Sequence, residues 1–142
     1  MHIGTKLKLI IEADGGSRGN PGPAAYGCLV KDAHTNEVLF QEGKTLGTTT
    51  NNVAEYSGLV AALEAAHKID PNAQIEVRMD SKLVVEQMSG NWKIKHVNMK
   101  GLVEKARKAF AQSQVKYVWV PREDNLAADT LLNIALDAEL NQ

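Results

Sequence analysis

The period of the apolar residues changes at Asn51, and this change constrains the fold more than any other feature of the sequence. Before it, apolar side chains recur in short, strand-like runs. Lys6 to Ala13 reads KLKLIIEA, with Leu7, Leu9, Ile11 and Ala13 on one parity and Ile10 on the other. A strand apolar on parts of both faces belongs in the middle of a sheet. Gly15 to Pro23 is dense in turn formers and predicts a loop. Ala24–Asp32 and Val38–Thr45 read as two more strands, joined by a turn at His34-Thr35-Asn36, which predicts an antiparallel meander.

From Asn51 to Lys68 the chain is rich in Ala, Leu and Glu, with Val53, Tyr56, Val60, Leu63 and His67 at helical spacing and Pro71 closing the helix. Ala73–Met79 alternates as a fourth strand. Asp80-Ser81 caps a short helix reaching about Met88, because an Asp or Ser before an apolar-periodic run satisfies free amides. Met99–Gln112 reads as an amphipathic helix, Val115–Val120 as a fifth strand, and Asn125 to about Leu140 as a final helix. A helix between the third and fourth strands lets the fourth run parallel to the first. The expectation is an α/β fold, a mixed five-stranded sheet of order 3-2-1-4-5 with helices on both faces, forming a single domain over residues 1–142.

Composition narrows the function classes. The chain has 142 residues, 44% hydrophobic, with 16 Lys+Arg against 17 Asp+Glu. These are values of a globular domain large enough to bury a core. Every apolar run is interrupted well short of a membrane-spanning length. Met1 to Lys8 lacks the apolar stretch of a secretory signal, so a cytoplasmic location is expected. The single cysteine, Cys28, excludes an internal disulfide and a cysteine-based zinc site. Its apolar neighbours place it in the core. A near-neutral charge argues against a generic nucleic-acid coat, yet it is compatible with an acidic cluster inside a mildly basic body.

Four acids stand at the ends of predicted elements: Asp14 where the first strand meets glycines, Glu55 in the first turn of the long helix, Asp80 at the end of the fourth strand, and Asp129 near the start of the last helix. Parallel neighbouring strands lie about 4.8 Å apart. Asp14 and Asp80 at that separation repel unless a cation lies between them or one is protonated. Oxygen-only ligands suit Mg²⁺ or Mn²⁺ rather than zinc, and several carboxylates around paired ions suit phosphodiester hydrolysis. Taken singly, each acid also has a plain structural use, as a turn residue or a helix cap, and spacing alone does not choose between the two.

The residues around the acids do. Asp14-Gly15-Gly16-Ser17-Arg18-Gly19-Asn20-Pro21-Gly22-Pro23-Ala24, Thr50-Asn51-Asn52-Val53-Ala54-Glu55-Tyr56, Asp80-Ser81-Lys82-Leu83-Val84 and Asn125-Leu126-Ala127-Ala128-Asp129 resemble, in this order, the type 1 ribonuclease H family. The likeness runs from about Lys6 to Leu136 and is greatest to compact bacterial members. It implies endonucleolytic cleavage of the RNA strand of an RNA–DNA hybrid, leaving 5′-phosphate and 3′-hydroxyl ends. It also implies two Mg²⁺ ions, with Mn²⁺ able to substitute, held by Asp14, Glu55, Asp80 and Asp129.

By the same resemblance, Asn20, Asn51 and Asn52 touch the hybrid's sugars and bases, where the 2′-hydroxyl marks RNA. Gly15, Gly16 and Gly19, with Ser17, let the backbone approach a groove. For Asn20 the plain alternative is an Asn-Pro turn; for Asn51 it is a helix N-cap. Thr50 matches a position that holds a DNA phosphate, and Trp92 is expected to expose its indole to deoxyribose. Lys93, Lys95, Lys100, Lys105, Arg107 and Lys108, with Glu104 the one acid among them, form a candidate phosphate-facing patch.

The sequence departs from the family in two places. The region between the fourth and fifth strands is too short for the basic protrusion of longer members. The loop Val120-Pro121-Arg122-Glu123-Asp124-Asn125 lacks the histidine found there in many members. Arg122 is an accessory candidate, although arginine does not relay a proton at neutral pH. His2, His34, His67 and His96 lie outside that motif and receive no catalytic role. The last helix is unusually aliphatic from Leu131 to Ala138, and burial is expected for it, since an exposed strip favours aggregation. A monomer that acts on hybrid is the leading expectation. The alternatives are a weakly catalytic module binding hybrid or duplex RNA, and a nuclease of this fold with another substrate.

Overall fold

The computed structural model describes residues 7–141, so the expected first strand residue Lys6 lies outside the described residues, as does His2. Strand β1 (Lys8–Ser17) occupies the centre of the sheet, with β2 (Gly22–Asp32) and then β3 (Val38–Thr49) antiparallel on one side. On the other side β4 (Gln74–Met79) and then β5 (Val115–Trp119) run parallel. The strand order is β3-β2-β1-β4-β5, as the alternation of elements predicts. Helices α1 (Asn51–Ile69), α2 (Lys82–Met88), α3 (Val97–Ala109) and α4 (Leu126–Leu140) complete the fold, with 3₁₀ turns at Gln112–Gln114 and Arg122–Asp124. Among the described residues no helix is long and apolar enough to cross a membrane.

The parity read from the first strand places most of its residues. Leu9, Ile11 and Ala13 are fully buried in the main core with Tyr56, Leu59, Leu63 and Cys28. Leu7, expected on the same face, is partly exposed just ahead of β1. On the opposite parity Ile10, Glu12 and Asp14 are also buried, Glu12 against Lys31 at 2.6 Å. A charge that deep persists because it is paired.

Two strands extend further than their sequence suggests. β1 does not stop at Asp14: Gly15, Gly16 and Ser17 continue it, paired with Tyr26, Ala25 and Ala24 of β2. The expected loop from Gly15 to Pro23 is therefore only a tight turn between β1 and Gly22, because backbone pairing with β2 outweighs the low strand preference of glycine. β3 likewise continues to Thr49.

The last helix corrects the expectation of burial. Ala128, Leu132 and Leu136 form a single buried stripe, with Leu132 and Leu136 packed beside Ala25. Leu126 and Ile134 are more than half exposed. A helix resting on one face of a sheet buries one stripe, whatever its composition. Asn125 precedes this helix rather than opening it.

Candidate active site

The last β1–β4 pair is Glu12 with Arg78. Two residues further on come Asp14, inside β1, and Asp80, just past the end of β4. Here β1 remains paired with β2 alone, so a crevice opens at the carboxyl end of β4, the usual place for a ligand in an open α/β sheet.

Two glycines decide how the helices reach this crevice. A Cβ built on Gly15 would lie 2.2 Å from the backbone of Ala54 and of Glu55. The first turns of α1 therefore lie directly against β1, which brings Glu55 over the crevice. The bare backbone at Gly15 permits this packing, and Gly15 also lines the crevice. Gly27, paired with Asp14, does the same for α4: its Cβ would stand 2.1 Å from the carbonyl oxygen of Ala128, the residue before Asp129. The result is a cavity of about 390 Å³ whose walls include Asp14, Glu55, Asp80 and Asp129 with Gly15, Gly16, Ser17 and Arg122.

The acids sense one another. Asp14 is 8% exposed. Burial first, then the charge of Asp80 and the hydrogen bond and charge of Asp129, push its carboxyl up to about 8, against the opposing pull of the Gly15 amide. That amide donates to Asp14 Oδ1 at 2.9 Å. Glu55 is raised to about 7, mainly by burial, with a lowering hydrogen bond from Ser81 and a raising charge from Asp80. Arg122 Nη2 lies 3.6 Å from Asp129 Oδ1, on an exposed side chain.

Does this set of residues suit divalent cations? Its donors are all carboxylate oxygens, the preference of Mg²⁺ and Mn²⁺, and the raised carboxyls are those that a nearby positive charge returns to the ionised form. The chemistry fits. Among the described residues, however, no three acid, histidine or cysteine side chains are drawn into a ready-made metal cage. The four acids line the wall of the cavity.

The remaining site residues fall into two groups. Thr50 caps α1, its hydroxyl accepting from the Val53 amide at 3.3 Å, so Asn51 is the first helical residue and not the cap. Asn51 Oδ1 accepts from Ser17 N at 2.7 Å and from Ser17 Oγ at 2.9 Å, and Asn20 Oδ1 accepts from Asn51 N at 3.1 Å. Asn20, Ser17 and Asn51 thus clamp the β1–β2 turn to the start of α1. Asn52 faces a second cavity of about 640 Å³, shared with Trp92, Lys93, Lys95 and His96. Trp92 is 46% exposed, as expected. Its segment is tied to the core through Gln87, which accepts from buried Tyr56 Oη at 2.6 Å and donates to the Lys93 carbonyl at 2.9 Å.

Four residues of the expected basic patch line two different hollows. Lys93 and Lys95 stand beside Trp92, whereas Lys105 and Lys108 line a shallow hollow with Glu64, His67 and Lys68 of α1. The 13 residues of α3 separate its ends by about 20 Å, so charges adjacent in sequence part company. Sequence reasoning assigned no role to Asn125, although it lies in the fourth block, and did not single out Trp119. Trp119 Nε1 donates to the Asp80 carbonyl at 3.2 Å. Asn125 carried a signal, a polar side chain one helical turn before Asp129.

A family model described as reverse transcriptase-like matches residues 12–135. The N-terminal RNase H domain of Rv2228c from Mycobacterium tuberculosis, solved as a fusion with maltose-binding protein, superposes with a TM-score of 0.88 at 50% identity, covering 96% of this chain and 98% of that one. LC11-RNase H1, isolated from compost by a metagenomic approach and solved in complex with an RNA/DNA hybrid, gives 0.85 at 40% identity over 93% of this chain and 99% of that one. Ribonuclease HI of Halobacterium salinarum is 41% identical over 125 residues, covering 87% of this chain and 62% of that protein. The bifunctional protein Rv2228c is 51% identical over 133 residues, but the chain spans only 36% of its length. Fold, crevice and relatives agree, and the chain belongs to the type 1 ribonuclease H family.

Proposed function

We propose that this chain acts as a monomeric, single-domain nuclease on RNA–DNA hybrids, cutting the RNA strand to leave 5′-phosphate and 3′-hydroxyl ends. The observation that carries the reading is the β1–β4 register, which sets Asp14 beside Asp80 in a crevice walled also by Glu55 and Asp129. These four side chains would hold two divalent cations, Mg²⁺ with Mn²⁺ able to substitute. Bound there, such ions supply activation of water and stabilisation of the departing oxygen.

The chain's own groups do the rest. Asp14 and Glu55, raised toward neutrality by burial and by Asp80, give up protons when positive charge enters the crevice. The Oδ1 atoms of Asn20 and Asn51 are engaged within the protein, which leaves their amide Nδ2 groups to donate to ribose or base. Gly16 and Ser17 line the same crevice. The second cavity, with Asn52, Trp92 and Lys93, is suited to the DNA strand: an exposed indole for deoxyribose and ammonium groups for phosphate. Thr50 caps α1 directly before Asn51 and Asn52, which line the first and the second cavity, and would help hold a DNA phosphate. Arg122 offsets the charge of Asp129 at the rim.

The test is incubation of the protein with end-labelled RNA–DNA hybrid, duplex RNA and duplex DNA, in MgCl₂ and in chelator. Mg²⁺-dependent cutting of hybrid RNA alone is expected. Binding without cutting would make the chain a recognition module, and cutting of duplex DNA would reject the ribose-reading role of the asparagines.

A further inference from the structure

Asp129 is carried by a helix whose packing is directed mainly at β2 and β3, and less at β1. Leu132 and Leu136 of α4 rest beside Ala25 of β2, and Gly27 receives its backbone at Ala128. Asp14 and Asp80 belong to β1 and to the end of β4. Packing of α4 on β2 does not by itself set the distance from Asp129 to those two acids.

Asn125 spans the gap. It directly precedes α4 and is 1% exposed. Its Nδ2 donates to the carbonyl oxygen of Ala13, the residue before Asp14, at 2.9 Å, and to Asp80 Oδ1 at 3.1 Å. Its own carbonyl accepts from the Asp129 amide at 3.2 Å. A single residue thus touches the Asp80 carboxylate, the peptide leading into Asp14 and the backbone of Asp129. The amide is held in one orientation, since the reverse would aim Oδ1 at a carbonyl and a carboxylate oxygen. In this orientation Oδ1 is buried with no hydrogen-bond partner among the described residues. A residue that merely filled this space would not leave a buried acceptor unpaired, which is costly. The Trp119 indole, on the Asp80 carbonyl, braces the main chain there, and Asn125 is left to set the carboxylate.

We propose that Asn125 is a positioning residue that orients the Asp80 carboxylate and fixes its spacing to Asp14 and Asp129, so that the acids receive cations in one geometry. This rests on the reading that the four acids hold divalent ions. Outer partners of ligating carboxylates act in this way in metal sites generally.

The experiment compares the parent with Asn125→Ala and Asn125→Ser. Folding is followed by thermal melting, binding of MgCl₂ alone by titration calorimetry, and kcat and KM on labelled hybrid. The expected result is folded variants whose Mg²⁺ affinity and kcat fall roughly tenfold to a hundredfold. KM for hybrid should stay within about twofold, because no substrate contact is lost. A folded variant that binds Mg²⁺ as the parent does overturns the proposal. So does failure of both variants to fold, which would make Asn125 a structural residue. If the parent itself neither binds Mg²⁺ nor cuts hybrid, the functional reading fails before this one is reached.

Discussion

Replacing Asp14 by Asn should make the protein more stable while removing its activity. In the folded chain the Asp14 carboxyl is raised from 3.8 to about 8 by burial, by Asp80 and by Asp129. Between those values the folded state holds a proton that the unfolded chain has released. Stability therefore falls as pH rises from about 4 to about 8, and this contribution is level on either side. Each pKa unit is worth about 1.4 kcal/mol, so at pH 7 the upper bound on the cost of this one side chain is about 4 kcal/mol. The crevice is open to water and the neighbouring acids share the charge, which brings the expected gain for Asp14→Asn to roughly 1–3 kcal/mol. The asparagine keeps an acceptor for the Gly15 amide and supplies a permanent donor toward Asp129, where the acid supplies one only when protonated. The assay is urea denaturation of parent and variant in chelator, between about pH 5 and pH 8.5. The variant should be the more stable at pH 7 and should lack part of the parent's downward slope. Equal stabilities with parallel pH profiles would refute the argument that Asp14 is held in a repulsive, desolvated place, and full activity in the variant would remove Asp14 from the site.

Other perturbations read other parts of the site. Trp92→Ala should raise KM for hybrid roughly tenfold with little change in kcat, since a stacked aromatic is worth about 1–3 kcal/mol; an unchanged KM counts against the second cavity as the DNA channel. Arg122→Ala should lower kcat by less than about fivefold, as expected for an exposed ion pair, and complete inactivity would place the guanidinium in contact with the reacting atoms. Gly27→Ala forces a methyl against the Ala128 carbonyl, so α4 must shift. It should cost about 1–3 kcal/mol in denaturant melts and depress kcat through Asp129, whereas parent-like behaviour would show that α4 can move freely. With Asp14 raised to about 8 and Glu55 to about 7, Mg²⁺ binding should release protons near neutral pH and tighten as pH rises, visible as a buffer-dependent heat; no such dependence would mean that the acids are already ionised.

How much of this was legible in the sequence divides along a physical line. The alternation in β1, the helical period after Asn51 and the four acid-centred blocks are local properties, and they determined the element order, the sheet topology and which carboxylates to examine. Backbone pairing is not local, so the continuation of β1 through Gly15 to Ser17 appears only once β2 lies beside it. The same holds for glycine: the sequence shows that Gly15 and Gly27 lack side chains, but only the packed structure shows that α1 and α4 occupy the space. The basic residues from Lys93 to Lys108 looked like one patch because they are close in the chain, but Lys93 and Lys95 precede α3 and line a different cavity from Lys105 and Lys108 near its end. Asn125 is the clearest case. Its position one turn before Asp129 could be read from the chain, but its grip on Asp80 and Ala13 joins residues 45 and 112 positions apart, a contact that exists only when the chain is closed upon itself.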